Sequence, residues 1–446
     1  MILGTDNALQ FIEKINTAFS ASGTDVRLDS SLNANDVITS LNSVFSLYTG
    51  YTEITDEMNS VAFLNAVNSN LLLMGYTNNT FKFLHISDVH NYAESITRCK
   101  TLMDADDSLM FTFLTGDYTG YDGSTANVVT PLQSLGDKAL MLNGNHDVWD
   151  GFSQNQTNAT TFLKSIVTNQ NVTWGDSQGV ASYWYRDFQL SITSKLRIIS
   201  VDGYDYRVGS IGSRYDTLYA QSQVDWIIDR LTELNPTDYF IIATHEPPVN
   251  STVSDQTPYT YNVQGKMDDD IVAKRRSNKF CSSRLWVWDT SLSNGNLLPI
   301  IVDAYTNSRS INTSVLNTNT VTGATVSTIN IVDDFSGYTP ATFLFYLGGH
   351  LHGDYVEYHP TFQDQLILLV DCGSNTTLGS SSDIGSRSSD TSTGTRTDGI
   401  LINEVMIDFS NERTRIRRIG QNSALSYNGF SAVTRDVIMV PFTKQQ

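Results

Sequence analysis

The sequence predicts an α/β fold, and two observations lead to that prediction. Five short apolar runs of strand length, rich in aromatic and branched residues, are spread over more than half of the chain. Stretches with helical spacing precede them, at residues 8–15, 37–45 and 61–74. With 446 residues, 40% of them hydrophobic, the chain exceeds one ordinary domain and can bury a large core.

Each of the five apolar runs stops at glycine, a small polar residue or a turn, and a side chain that can bind metal follows. Buried strands have this composition, and strand ends in α/β proteins present functional groups to a crevice. The five strand ends are therefore expected to converge on one cleft. In chain order, the runs are residues 81–86, 109–114, 139–142, 239–243 and 343–347.

The side chains that follow these runs indicate a site for two metal ions. Carboxylate, imidazole and amide oxygen groups suit ions such as Zn, Mn or Fe, and no cysteine lies near them, which argues against a structural zinc site. Two ions roughly 3.5–4 Å apart need a bridging ligand, and Asp117 is the natural bridge. The candidates are Asp88, His90, Asp117, Asn145, His146, Asp147, His245, His350 and His352.

In chain order these residues read D-x-H, G-D, G-N-H-D, H and G-H-x-H. This ordered set resembles the calcineurin-like metallophosphoesterase superfamily over about residues 81–420. The fold expected on that resemblance is a four-layer α/β/β/α sandwich with two mixed sheets. The resemblance also implies the metal ligands. Asp88, His90 and His352 would hold the first ion, Asn145, His245 and His350 would hold the second, and Asp117 would bridge them.

The same resemblance implies the chemistry. Two divalent ions, whose identity the sequence leaves open, would activate a bridging hydroxide that attacks the phosphorus of a phosphomonoester or a phosphodiester. Asn145 and His146 would bind the phosphate. His146 would also protonate the leaving alkoxide, with Asp147 orienting its ring. The expected activity is that of a metal-dependent phosphoric ester hydrolase.

Each motif alone is weak evidence, because a D-x-H or G-D pair arises by chance in most chains of this length. A lone histidine such as His245 is more often structural than a ligand. The order of the motifs and their place after strands give them weight, and five of the seven histidines fall on motif positions. The other two, His85 inside the first run and His359 before Pro360, are interpreted as structural.

The negative net charge of the chain limits the binding partners that can be expected. The chain has 28 Lys and Arg against 47 Asp and Glu, a net charge of −19, so duplex nucleic acid is not an expected partner. The arginines of residues 413–418 alternate as on a solvated sheet face. The first residues lack the pattern of a signal peptide, and no segment is long and apolar enough to cross a membrane. The chain is therefore expected to be soluble, in the cytoplasm or in a virus particle.

The sequence divides into three parts. Residues 1–80 are expected to form a helical module, whose apolar faces pack either on the enzyme domain or on a partner in a larger complex. Residues 81–420 form the catalytic domain. An insertion at about 249–340 is predicted to form β-hairpins near the cleft, either as a lid or as plain packing. Residues 421–446 form a C-terminal extension.

An alternative function follows from composition. Low lysine, abundant Thr, Asn and Ser, and an added helical module are typical of virus-particle proteins, such as phage tail or capsid-associated components. The chain would then be a structural or assembly protein built on a phosphoesterase scaffold. Metal content of the purified protein discriminates between the two functions, because only the enzyme requires bound ions.

Overall fold

The fold was obtained as a computed structural model. It describes residues 34–46, 51–55, 80–120, 123–153, 155–167, 172–175, 182–191, 193–205, 217–246, 294–318, 325–350, 355–359, 364–369, 402–419 and 437–442, with the single positions 12, 15, 16, 28, 62, 63, 66, 67, 70, 248 and 362. Among these residues, no helix is long and apolar enough to cross a membrane.

The described residues form strands and helices in mixed order. The strands are β1 (Thr80–Ile86), β2 (Leu109–Thr115), β3 (Ala139–Leu142), β4 (Thr173–Trp174), β5 (Trp184–Ser191), β6 (Ser194–Ser200), β7 (Tyr239–Ala243), β8 (Ser310–Thr318), β9 (Thr325–Asp334), β10 (Thr342–Gly348), β11 (Tyr355–Tyr358), β12 (Leu366–Leu369), β13 (Ile402–Asp408), β14 (Arg413–Ile419) and β15 (Val437–Pro441). The α-helices are α1 (Ala34–Phe45), α2 (Ala93–Ala105), α3 (Val129–Ser134), α4 (Gln156–Val167), α5 (Gln221–Thr232) and α6 (Leu297–Thr306).

Two large sheets carry the predicted strands. The first has the order β15-β14-β13-β1-β2-β3, and the second has the order β11-β12-β10-β7-β6-β5-β4. All five apolar runs form strands, as predicted. The neighbours β1, β2 and β3 run parallel, and so do β6, β7, β10 and β12. Because the carboxyl ends of parallel strands meet at one edge of a sheet, each sheet gathers its motif residues at one edge.

An aromatic seam joins the two sheets face to face. Phe81 of β1 and Phe111 of β2 contact Phe188 of β5, with ring centroids 4.9 and 5.3 Å apart. Phe113 stacks on Trp184 at 5.8 Å. Aromatic pairs at these spacings add stabilisation to that of buried area, and alternate residues of β1 and β2 supply the rings to one face. The seam fixes the first sheet against the second.

Helices cover the outer faces, which makes four layers. Helices α2, α3 and α4 pack on the first sheet. Helices α5 and α6, with the β8–β9 hairpin, pack on the second sheet in a separate core. β7 shows how one strand serves both sides, since Ile241 faces the other sheet while Phe240 and Ile242 face the helices. The predicted α/β/β/α sandwich is confirmed.

One domain boundary and one secondary-structure element differ from prediction. β15, at Val437–Pro441, pairs with β14 in the first sheet, so the domain extends past residue 420 and part of the proposed C-terminal extension belongs to it. Within the insertion, Leu297–Thr306 is a helix that buries its apolar face against the second sheet. The β8–β9 hairpin packs beside it, so the described part of the insertion serves as packing.

The N-terminal residues have an apolar core of their own. Helix α1 contributes Leu41, Val44 and Phe45 to a cluster that includes buried positions from 12 to 67. The cluster is distinct from the two cores of the sandwich. Helical residues at 12, 15, 62, 63, 66, 67 and 70 agree with the helical spacing of the sequence. That residues 1–80 are a separate module remains a prediction.

Side-chain amides tie this N-terminal core together. Asn42 donates through Nδ2 to the carbonyl of Ile54 and accepts the Ile54 amide at Oδ1, over 2.7 and 2.9 Å. Asn16 makes the same two bonds with Leu28, again twelve residues further along the chain. A carboxamide therefore replaces a backbone partner at both places, which satisfies buried polar groups that would otherwise cost free energy.

We expect Asn42→Ala to destabilise the N-terminal core, because it leaves both polar groups of Ile54 without these bonds. The expected loss is about 1–3 kcal/mol, with faster hydrogen exchange at the Ile54 amide. The control is Asn35→Ala on the exposed face of the same helix, which should change stability by less than about 0.5 kcal/mol. Equal effects of the two substitutions on hydrogen exchange at the Ile54 amide would contradict this role of Asn42.

Candidate metal centre

The loops after β1 and β2 are bonded to each other along their backbones. The amides of Asp88, His90 and Asn91 donate to the carbonyls of Gly116, Asp117 and Tyr118, over 3.1, 2.9 and 2.8 Å. Asp88, His90 and Asp117 have positive φ angles of 52°, 43° and 53°. Non-glycine residues seldom adopt this conformation, and it clusters where function requires a fixed geometry. The backbone bonds hold these strained residues in place.

Glycines in the motifs let the ligand loops touch. A Cβ on Gly144 would collide with the Oδ1 atom of Asp117 and lie 2.5 Å from its amide nitrogen. A Cβ on Gly116 would lie 2.5 Å from His245 Nδ1, and one on Gly349 would lie 2.6 Å from Asp88 Oδ2. Glycine is thus needed at all three positions because another side chain already fills the space.

The predicted metal-type side chains converge around Asp117. Ligand atoms of His90, Asp117 and His146 lie within 4.8 Å of one another, and so do those of Asp117, His245 and His350. Asn145 Oδ1 is 3.1 Å from His245 Nε2 and 3.1 Å from His350 Nδ1. Asp88 Oδ1 is 4.0 Å from His245 Nε2. His352 lies outside the described residues.

The electrostatics of the group indicate a site that needs a cation. Burial disfavours the charged form of Asp117, but the charges of His245, His146 and His90 outweigh it and hold the pKa of Asp117 well below its usual range. Burial also disfavours protonated His245, yet Asp117 and Asp88 raise the pKa of His245 to about 10. The buried carboxylates therefore require positive charge beside them, and bound divalent ions would supply it.

The Nδ1 nitrogen of His245 already has a hydrogen-bond partner. Its Nδ1 lies 2.6 Å from the carbonyl oxygen of Thr115, which also accepts a bond from Ser87 Oγ. With Nδ1 protonated, a bound ion would displace the proton of Nε2, which faces Asn145 and Asp117, whose Oδ2 is 3.4 Å away. Metal-binding histidines are commonly oriented by a carbonyl in this way. The donor set fits a metal centre.

The prediction that Asp147 orients the ring of His146 is wrong. The Nδ1 atom of His146 lies 2.6 Å from Asp150 Oδ2. The carboxylate of Asp147 instead accepts the backbone amides of Gly144, Asp117 and Thr119, over 2.7 to 2.8 Å. Asp147 thus joins the loops after β2 and β3. Burial, aided by the charge of Asp117, raises the pKa of Asp147 to about 7, while its amide bonds oppose that rise.

Asp150 is the site residue that the sequence motifs missed. It lies in a single π-helical turn, Asp147–Gly151, which brings it back to His146 four positions along the chain. The spacing was visible in the sequence as an i, i+4 pair of histidine and acid. The sequence carries no signal of a helical turn at that point, so the motif alone favours the carboxylate of Asp147, next to His146.

The two remaining histidines fit the structural interpretation. His85 is buried on β1, where its Nε2 lies 3.0 Å from Thr115 Oγ1, and burial lowers its pKa to about 3. His359 accepts the Phe362 amide at Nδ1, and burial lowers its pKa to about 4. Both rings are therefore neutral at physiological pH and bond to their surroundings.

We expect Gly144→Ala to disturb the centre, because the new Cβ meets Asp117. Overpacking of this kind costs about 1–3 kcal/mol of stability, and metal content should fall because the carboxylate of Asp117 must move. Elemental analysis and thermal unfolding measure both effects. Gly337→Ala is the control, since a Cβ there meets nothing within 4 Å. Full metal content in Gly144→Ala would contradict this account.

Comparisons with known proteins give a family match for part of the chain. Residues 81–275 match the family model described as calcineurin-like phosphoesterase. A search of curated proteins gives no match to this chain. Among solved structures, a conserved protein and predicted phosphoesterase from Streptococcus pneumoniae is 10% identical, with a TM-score of 0.25, and the alignment covers 81% of this chain and 98% of that chain.

Two further structures are similar to the chain at a comparable level. A phosphatase from Mycoplasma pneumoniae is 9% identical, with a TM-score of 0.33 and coverage of 78% and 95% of the two chains. A phosphopantetheinyl hydrolase from Mycobacterium tuberculosis is 12% identical, with a TM-score of 0.28 and coverage of 66% and 90%. The family match, the two-sheet sandwich and the order of the motifs identify residues 81–275 as a calcineurin-like phosphoesterase region, as found in phosphoric ester hydrolases.

Proposed function

We propose that this protein uses two divalent metal ions to hydrolyse a phosphomonoester or a phosphodiester. The observation that carries the proposal is the shared position of Asp117, whose ligand atoms belong to both groups of converging side chains. A carboxylate common to two groups is what a pair of neighbouring ions requires. The family match supports the reaction class.

The ligands would divide around Asp117. Asp88, His90 and His352 would hold one ion, and Asn145, His245 and His350 would hold the other, with Asp117 shared. Bound divalent ions would polarise the phosphoryl oxygens and lower the pKa of a water molecule. No cysteine is described near the group, and its oxygen and imidazole donors suit Mn, Zn or Fe.

Asn145 is suited to bind substrate as well. Its Oδ1 faces the two histidines of the second group, which leaves Nδ2 as a donor on the other side of the amide. In the part of the chain that the structure describes, this buried Nδ2 has no hydrogen-bond partner. A buried donor of this kind gains free energy when it bonds to an anionic oxygen. We assign Nδ2 to an oxygen of the phosphoryl group.

His146 is suited to transfer a proton. Asp150 contacts its Nδ1, so that ring nitrogen is held as a donor and the ring orientation is fixed. Its Nε2 lies toward the centre, 4.0 Å from Asp117 Oδ2. From there it would bond to the phosphate and protonate the departing alkoxide. Asp147, which binds three backbone amides, would keep the loops in place and would touch no substrate.

A second proposal concerns residues 1–80, which would attach the enzyme to a larger assembly such as a virus particle. The observation that favours it is the separate apolar core of the N-terminal residues. Because this core is distinct from the cores of the sandwich, the N-terminal residues could bind a partner without taking part in catalysis. The two proposals are compatible, and metal analysis of the purified protein tests the enzymatic one directly.

We expect Asp117→Asn to lower metal content and turnover together, because it removes the carboxylate that both ions share. Turnover should fall by a factor on the order of 10² or more, while the unfolding temperature changes little. Elemental analysis and a panel of phosphomonoesters and phosphodiesters measure the effect and identify the substrate class. Asp408→Asn, at the far end of β13, is the buried control. Two retained ions and near-native turnover would remove Asp117 from this role.

His146→Ala should retain both ions yet lose roughly 10²–10⁴-fold in rate, the range for a positioned proton donor. Asp150→Asn should show a smaller loss of the same kind, because it frees the ring. Both losses should shrink for nitrophenyl esters, whose leaving group needs no proton. Rates measured with good and poor leaving groups test this. Equal losses for both kinds of ester would restrict His146 to phosphate binding, and a lost ion would make it a ligand.

A further inference from the structure

A buried carboxyl group lies beside the candidate centre and has no role in the site described above. Glu246 follows His245 directly at the end of β7 and is only 6% exposed. Its Oε1 accepts a hydrogen bond from Tyr204 Oη over 2.8 Å. The same Oε1 lies 3.8 Å from the Nε2 atom of His350. An acid is seldom buried without a partner that repays its desolvation.

The two ring nitrogens of His350 face in different directions. Nδ1 faces the centre, 3.1 Å from Asn145 Oδ1, and Nε2 faces Glu246. A histidine binds metal through an unprotonated nitrogen, so its other nitrogen must carry the proton and donate it to an acceptor. For His350, that acceptor position is taken by the carboxyl group of Glu246. The 3.8 Å separation exceeds hydrogen-bond length, and hydrogen bonds in binding sites often tighten when the ligand binds.

Rigid surroundings fix the position of Glu246. Tyr204, which bonds to it, is fully buried, and its backbone amide donates to Asp202 Oδ1 over 2.9 Å. Asp202 is held in turn by Gln223, whose side chain bonds both the amide and the carbonyl of Asp202. The chain of contacts runs from helix α5 through Tyr204 to Glu246. It therefore ties the acid to the packed second core.

We propose that Glu246, held by Tyr204, is a positioning residue that selects the tautomer and ring orientation of His350 for metal binding through Nδ1. The inference rests on the proposed metal centre. Glu246 acts through His350 and touches neither substrate nor ion. Glu246 accepts the ring proton of His350 in the way that the carbonyl of Thr115 accepts the ring proton of His245, with a carboxyl group in place of a carbonyl. A carboxylate acceptor makes the ring a stronger ligand than a carbonyl does.

Metal affinity provides the first test. Dissociation constants for Zn²⁺ are measured by competition with a chelator, for the full chain and for Glu246→Ala, Glu246→Gln and Tyr204→Phe. Glu246→Ala should weaken the affinity for one of the two ions by about 10–100-fold and leave the affinity for the other nearly unchanged. Glu246→Gln should restore part of that loss, because an amide oxygen still accepts the proton. Tyr204→Phe should cost about 2–10-fold, the equivalent of one hydrogen bond.

Matched controls separate this role from general damage. Asp238→Asn removes a buried carboxylate at the opposite end of β7, where it accepts the amides of Lys195 and Asn235. Tyr346→Phe removes a buried hydroxyl that donates to Gln365. Neither should change Zn²⁺ affinity. If Glu246→Ala does not fold, Glu246→Gln and Tyr204→Phe still test the proposal. Zn²⁺ affinities of both variants equal to that of the parent protein would overturn it.

The tautomer provides the second test, and it is independent of turnover. In Zn²⁺-loaded protein with ¹⁵N-labelled histidine, His350 should show a metal-bound Nδ1 and a protonated Nε2, with assignment by His350→Gln. Glu246→Ala should shift the Nε2 resonance and broaden the metal-bound signal. Unchanged affinity and an unchanged spectrum in Glu246→Ala would overturn the role of Glu246 alone. A parent protein that takes up no Zn²⁺ would overturn both this inference and the proposed function.

Discussion

The close packing of loops around one buried carboxylate is the constraint on which the site depends. Asp117 is buried with its pKa held low by neighbouring histidines, and it has no room to move because Gly144 and Gly116 abut it and its neighbours. Asp147 adds the backbone bonds that join the loop of Asp117 to that of Gly144. Desolvated charge held by rigid backbone is costly unless a compensating cation is present, so the geometry favours binding of a cation.

The sandwich explains how residues from distant parts of the chain reach this carboxylate. β1, β2 and β3 run parallel and deliver the first three motifs at one edge, while β7 and β10 deliver the last two from the other sheet. The aromatic seam keeps the two edges opposed. His85 lies on the seam side of β1, and its bond to Thr115 links the strand of Asp88 with the strand of Asp117. A residue that the sequence marked as structural thus supports the site.

Much of this arrangement could be predicted from the sequence, because short apolar runs and strand-end motifs are local patterns. The five strands and the convergence of Asp88, Asp117, Asn145, His245 and His350 follow from them. Pairings across long separations carry no such pattern. Asp150 reaches His146 only through a π turn, and β15 joins the first sheet from the far end of the chain. Glu246 reads as an ordinary polar residue until the positions of Tyr204 and His350 are known.

The abundance of amide side chains has a structural explanation that bears on the alternative function. In the described residues, six carboxamides each bond both the amide and the carbonyl of one distant residue, as a neighbouring strand would. They are Asn16, Asn42, Asn70, Gln221, Gln223 and Asn317. Three lie in the N-terminal core, and three hold helix α5 and its flanks to their surroundings. Part of the amide-rich composition therefore has a structural role in pairing with the backbone, and composition by itself is weak support for a virus-particle role. The case for assembly rests instead on the separate N-terminal core.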